Sequence, residues 1–251
     1  MTERLESTQQ IPGQEYFEWL SRGDNLEARL REMDQGRSVK RIFVMGCGRS
    51  GTWLLAAVMS TFRDIELVPQ ELGVEYFGIR NSHGSTLVLK RKHDSYRTIE
   101  NIPNMIGIAC IVRHPYDVLT SHNPITRLQY HVTPHRWLGE MSAVKYLFDS
   151  KKANSLIIRY EDLVTDAEGV QVELGATFRL QIETHVSAFV DRFRPSPNTA
   201  IAMHGVRPID KNSICRYKSH PEQVEYLKTI VPGLQPTLEW VGRTFDYDLS
   251  L

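Results

Sequence analysis

Lys40-Arg41-Ile42-Phe43-Val44-Met45-Gly46-Cys47-Gly48-Arg49-Ser50-Gly51-Thr52-Trp53-Leu54-Leu55-Ala56-Ala57-Val58-Met59-Ser60-Thr61-Phe62 is the stretch that decides the fold. KRIFVMG is rich in the β-branched, aromatic and apolar residues that suit a strand. Gly46, Gly48 and Gly51 then interrupt the pattern, and TWLLAAVMSTF has helical length and composition. Strand, glycine-rich loop and helix, in that order, is the setting in which backbone N–H groups and a helix N-terminus can cradle a phosphate.

Outward from this unit, STLVLK (85–90), MIGIACIVR (105–113) and NSLIIRY (154–160) read as further strands. The second is an almost continuous apolar run, as expected of a parallel strand covered on both faces. Helices are expected from Pro115 to about Thr120, Leu138 to Asp149, Ala167 to Leu174, Pro221 to Ile230 and Pro236 to Val241. Thr165-Asp166-Ala167-Glu168 reads as a capping box at the start of one of them. Strands alternating with helices predict an α/β fold, a single-domain P-loop-like three-layer architecture with a mainly parallel central sheet flanked by helices. Residues 1–38 read as an N-terminal helical arm, because Tyr16, Phe17, Leu20, Leu26, Leu30 and Met33 are spaced roughly as one helical face. Residues 39–251 read as the domain.

The 251 residues are 41% hydrophobic, enough to bury a substantial core. Thirty Lys plus Arg balance thirty Asp plus Glu, so the basic excess of a general nucleic-acid binder is missing and any anion must be held locally. The polar start MTERLESTQQ and an apolar run no longer than Ile106 to Val112, against the roughly 18 residues of a span, lead us to expect a cytoplasmic protein with no membrane span. Cys47, Cys110 and Cys215 form no C-x-x-C pair and give neither a disulfide framework nor a zinc pattern. A homodimer is left open.

The loop can be compared with the nucleotide-binding pattern G-x-x-x-x-G-K-[ST]. Gly46 and Gly51 match, but Thr52 stands in the lysine position and Trp53 in that of the magnesium-binding hydroxyl. What remains is a phosphate loop whose cation is Arg49. In a second segment, Arg113 closes the apolar strand and is followed by a Pro-initiated helix with Asp117 in its first turn and Ser121 beyond. Ligands of open α/β sheets bind outside the carboxyl ends of strands, so both segments belong on one rim, suiting a ligand with phosphates at both ends. Arg113 alone could equally pair with Asp117.

Here the chain resembles the sulfotransferases that use 3′-phosphoadenosine 5′-phosphosulfate (PAPS). Arg49-Ser50-Gly51-Thr52 looks like their 5′-phosphosulfate loop, and Arg113-His114-Pro115-Tyr116-Asp117-Val118-Leu119-Thr120-Ser121 looks like their 3′-phosphate element. Ile158-Arg159-Tyr160-Glu161-Asp162-Leu163 and Ser213-Ile214-Cys215-Arg216-Tyr217-Lys218 are similar to two later family segments. Glycine stands before Arg49 where cytosolic members commonly have proline, and Arg49 replaces their lysine. These departures tilt the resemblance toward bacterial and carbohydrate-type members. The resemblance implies that Gly48, Arg49, Ser50, Gly51, Thr52 and Trp53 hold the 5′-phosphosulfate, and that Arg113, Ser121 and Arg216 hold the 3′-phosphate.

It also implies in-line transfer of a sulfuryl group from PAPS, with 3′-phosphoadenosine 5′-phosphate (PAP) as product, to a hydroxyl or amine of a carbohydrate or small metabolite. Arg49 would stabilise charge on the leaving phosphate, and no metal is expected. A base is needed for the acceptor proton. Glu71 and His93 stand level for that role, ahead of Glu75, and Lys90 suits the bridging oxygen or a solvated strand end. His131 and His135 are poor metal partners because Pro134 lies between them. The stretch 122–137 reads as an acceptor-pocket loop or lid, and Glu161 and Asp162 as partners of nearby arginines. Tyr160 suits the core, or less readily an adenine. The rival readings are an ATP-dependent kinase or NTPase, which the Thr52 and Trp53 positions oppose, and a non-catalytic nucleotide-binding protein.

Overall fold

The computed structural model describes residues 25–34, 39–79, 82, 84–92, 95–124, 126 and 128–251. Five strands, β1 (Lys40–Gly46), β2 (Ile65–Leu72), β3 (Thr86–Arg91), β4 (Ile106–Val112) and β5 (Ser155–Arg159), form one sheet in the order β2-β3-β1-β4-β5. Every pairing is parallel, as the alternating pattern predicts. Helices α1 (Leu26–Met33), α2 (Thr52–Met59), α3 (Pro115–Leu119), α4 (Pro134–Ser150), α5 (Tyr160–Thr165) and α6 (Ala167–Phe178) connect and cover it. α7 (Phe189–Arg192), α8 (Pro197–Met203), α9 (Pro221–Ile230) and α10 (Gln235–Phe245) complete the chain.

Alternation along the central strands divides the core in two. Phe43, Met45, Ile108 and Cys110 face a layer containing Trp137 and Val144 of α4 and Leu238 of α10. Ile42, Val44, Ala109 and Ile111 face α2 and α6 through Leu55 and Leu174. Every residue of β4 is buried, because both of its faces are covered. No helix among the described residues is long and apolar enough to cross a membrane.

Three local features depart from the sequence expectations. The sequence carries no strand signal for β2, where Pro69, Gln70 and Glu71 break any apolar alternation. It is an edge strand whose register shifts between Leu67 and Glu71, a place where a proline without an N–H is tolerated. α4 starts at Pro134 rather than Leu138, because Thr133 Oγ1 accepts the Arg136 N–H at 3.2 Å and Pro134 fits the first turn. The cap of α6 is Asp166, which accepts from the Gly169 N–H at 3.0 Å, and not Thr165, the last residue of α5, whose hydroxyl donates back to the Glu161 carbonyl.

Of the N-terminal arm, Tyr16, Phe17 and Leu20 lie outside the described residues. α1 is docked on the domain: Leu30 is fully buried, and the Asp34 carboxylate grips the Arg41 guanidinium through two contacts of 2.7 Å.

Candidate functional site

The carboxyl ends of β1, β3 and β4 open into a cleft of about 1050 Å³. The loop between β1 and α2 forms its floor. Gly46 has φ +138°, and a Cβ there would stand 2.3 Å from the Ile111 carbonyl oxygen. Gly51 has φ +96°, and a Cβ would stand 2.5 Å from the Tyr160 ring. Only glycine meets both demands. The Ser50 hydroxyl is buried, directed to the Cys47 carbonyl at 2.7 Å and the Ile111 carbonyl at 3.2 Å, so it braces the loop from beneath. Gly48, Arg49, Gly51, Thr52 and Trp53 line the cleft itself. The first N–H groups of α2 have no partner within the helix and are available to an anion.

Arg49 reaches across the cleft. Its Nε donates to Ser121 Oγ at 3.0 Å and its Nη1 to the Ala202 carbonyl at 2.8 Å. Burial, then the nearby Arg113 charge, push its pKa down. Arg113 donates to the Arg49 carbonyl at 3.2 Å and the Ser213 carbonyl at 2.6 Å, and its guanidinium lies 4.4 Å from the centre of the Tyr160 ring. The Arg113 Nε is buried with no hydrogen-bond partner among the described residues. Asp117 stands 3.4 Å from Arg113, but it also accepts the N–H groups of Cys215 at 2.8 Å and Tyr217 at 3.3 Å. It therefore fastens the segment carrying Arg216 to the segment carrying Arg113. Arg216 is exposed on the cleft wall.

On the other side, Lys90 and the Trp53 indole both donate to Glu71 Oε1, the indole at 3.2 Å. The Lys90 Nζ also lies 4.9 Å from the centre of the Trp53 ring. Burial pushes the Lys90 pKa down to about 8, against the opposing pull of Glu71, with Arg91 and Arg136 adding to the fall. Glu71 keeps 45% of its side chain exposed, facing the cleft. Glu75 does not line the cleft and pairs with Lys92 at 3.1 Å. His93 lies outside the described residues.

Other expected roles fall elsewhere. Glu161 accepts the His114 N–H at 2.9 Å and the Tyr247 hydroxyl at 2.8 Å, rather than an arginine, while Asp162 stands 3.8 Å from Arg159. The Tyr160 hydroxyl donates to Ser213 Oγ at 2.7 Å, and its half-buried ring packs against the core while also lining the cleft. The stretch 122–137 is anchored by buried Tyr130, Val132 and Trp137, with His122, Asn123 and His131 turned to the cleft. No group of three or more metal-ligating side chains occurs among the described residues.

The sequence reading passed over Arg91 and Arg136. Arg91 donates to the Gly46 carbonyl at 2.5 Å and to Glu140 at 2.6 Å, both from a buried position. Arg136 sits in the first turn of α4, where the helix dipole opposes a cation. The signal available in the sequence was Thr133-Pro134, a cap and first-turn pair that starts the helix ahead of Arg136.

No protein-family model and no curated protein matches the chain. Among solved structures, it superposes on a sulfotransferase domain from the curacin biosynthetic pathway with a TM-score of 0.61 at 17% identity, covering 84% of this chain and 99% of that one. A sulfotransferase domain from the Synechococcus PCC 7002 olefin synthase gives 0.59 at 16% identity, covering 84% of this chain and 95% of that one. The fold is that of sulfotransferases.

Proposed function

We propose that this chain, having the sulfotransferase fold, transfers a sulfuryl group from PAPS to a hydroxyl, less readily an amine, of a carbohydrate or small metabolite. The observation that carries this reading is the contact between Arg49 and Ser121, which joins the glycine-rich loop to the Arg113 element across one cleft. A ligand with anionic groups at both ends fits such a cleft. The residues suit it: an unpartnered buried Nε on Arg113, and glycines that leave the loop backbone bare.

In this reading Gly48, Gly51, Thr52 and Trp53 present backbone N–H groups to the 5′ end, with Ser50 bracing them. Arg113, Ser121 and Arg216 hold the 3′-phosphate, and Arg49 spans the two. The nucleotide supplies an activated sulfuryl group. Glu71 takes the acceptor proton, and Lys90, as its ammonium, donates to the oxygen that the sulfur leaves. The cleft lining includes Asn123, Ser196, Asn198 and Thr199, neutral hydrogen-bonding side chains that suit a polyhydroxylated acceptor. All three cysteines are free thiols, which suits a reducing cytoplasm.

Titration calorimetry with PAP, with ATP plus magnesium as control, tests the reading. Binding of PAP at a Kd of about 1 μM or tighter, near 8 kcal/mol, without magnesium supports it. Binding of ATP with magnesium alone would replace it with the kinase reading.

A further inference from the structure

Arg136 occupies a place that neither the loop nor the Arg113 element explains. Its side chain is only 11% exposed, yet it lines the cleft. The guanidinium lies against the loop so closely that a Cβ on Gly48 would stand 3.0 Å from Nη2. Nη1 stands 3.3 Å from His131 Nε2, and Nε stands 3.8 Å from Glu140. That Nε is buried and makes no hydrogen bond to a described residue, and none is made by Nη2. A guanidinium clamped on one edge with donors left over on the other is arranged for an anion with several oxygens.

Two observations bear on where in the cleft that anion would lie. Arg49, the cation inside the loop, is turned away from this side, onto Ser121 and the Ala202 carbonyl. Arg136 instead shares Glu140 with Arg91, the residue next to Lys90 on β3, so it stands toward the end of the cleft that holds Lys90 and Glu71. Glu140 is engaged by Arg91 at 2.6 Å, and the Arg136 Nε stands 3.8 Å from it, beyond hydrogen-bond reach.

Resting on the PAPS reading, we propose that Arg136 binds the oxygens of the sulfuryl group itself, and that Gly48 is glycine so that this guanidinium can approach the loop. Arg136 is then a further binding residue for the group in transfer, distinct from the residues that hold the two phosphates.

PAPS and PAP differ by the sulfuryl group alone, so their affinities measured side by side by calorimetry, without acceptor, test the assignment. For Arg136→Ala the expected result is a loss of about 30-fold or more in PAPS affinity with less than about a threefold change for PAP. Arg136→Lys, which keeps the charge and the partnership with Glu140 but not the fork, should fall between, and it guards against a folding defect in the alanine variant. Equal losses for both ligands, or no loss for either, would overturn the proposal. Wild-type protein that binds neither ligand would instead overturn the PAPS reading on which it rests.

Discussion

Around Gly48, two cations of the cleft are matched by carboxylates, Lys90 by Glu71 and Arg91 by Glu140 at 2.6 Å, and Arg136 stands 3.8 Å from the same Glu140. Around Ser213, the cations are held chiefly by neutral oxygens, with Arg49 on Ser121 and the Ala202 carbonyl, and Arg113 on the carbonyls of Arg49 and Ser213. A carbonyl fixes a guanidinium without cancelling its charge, whereas a carboxylate largely neutralises the cation it faces. Asp117, the acid nearest Arg113, divides its oxygens with the N–H groups of Cys215 and Tyr217. Under the proposed function the difference separates two tasks. One end keeps full positive charge for a phosphate that does not change, and the other keeps a lysine tuned near neutrality beside a carboxylate able to accept a proton.

Gly51 lies between the two ends, so it gives the largest test. Gly51→Ala combines a left-handed backbone with a Cβ at 2.5 Å from Tyr160. We expect a loss of about 3 kcal/mol in denaturant unfolding, from the backbone strain and the overpacking together, and loss of measurable PAP binding. Retained binding would mean that the ends do not depend on the loop's shape. Arg113→Ala is the next largest. It should weaken PAP binding about 100-fold, the worth of a charge-assisted pair, while the acceptor KM stays within about twofold. Unchanged PAP affinity would remove the holding role from that end.

The holding end was largely legible in the sequence, and the reacting end was not. Arg49 and Arg113 sit where strands stop and helices begin, with Ser121 just past the short helix that follows Arg113, and strand ends can be found from apolar runs and glycines. Glu71 was legible as a residue but not as a strand residue, because an edge strand that contains proline and acids carries no apolar alternation. Its contact with Lys90 and Trp53 depends on the order β2-β3-β1, a tertiary fact that no local pattern encodes. Ser50 was read as facing the ligand, since sequence gives a residue type at a loop position and not the direction of its side chain. Arg136 belongs to the same class: its partners are Gly48 and His131, one of them far along the chain.

Lys90 offers a smaller and more specific test. Its pKa falls from the usual 10.5 to about 8, so above about pH 8 the native protein has released a proton that the unfolded chain still holds. Stability should then rise with pH across that interval, because the unfolded state binds more protons there. Activity should move the opposite way, declining above about pH 8 as the ammonium is lost. Urea unfolding of wild type and Lys90→Met, compared at about pH 7 and about pH 10, should show the rise in the first and a flatter profile in the second. Equal profiles would remove the tuned lysine from the reacting end.

Tyr247→Phe should have the smallest effect, and it asks whether the two ends are independent. The Tyr247 hydroxyl donates to Glu161 at 2.8 Å, and the other oxygen of that carboxylate accepts the His114 N–H at 2.9 Å. His114 and Tyr116 in turn contact the carbonyls of Asp248 and Leu249, each at 2.9 Å, so the C-terminal residues strap the back of α3 behind Arg113. Losing one hydroxyl from a buried network should cost about 1 kcal/mol in denaturant unfolding and weaken PAP binding by no more than about threefold. The pH profile of activity set by Lys90 should not move, because none of these contacts reaches Glu71 or Trp53. A displaced profile would show that the strap acts on both ends, and the division between holding and reacting would have to be redrawn as one connected network.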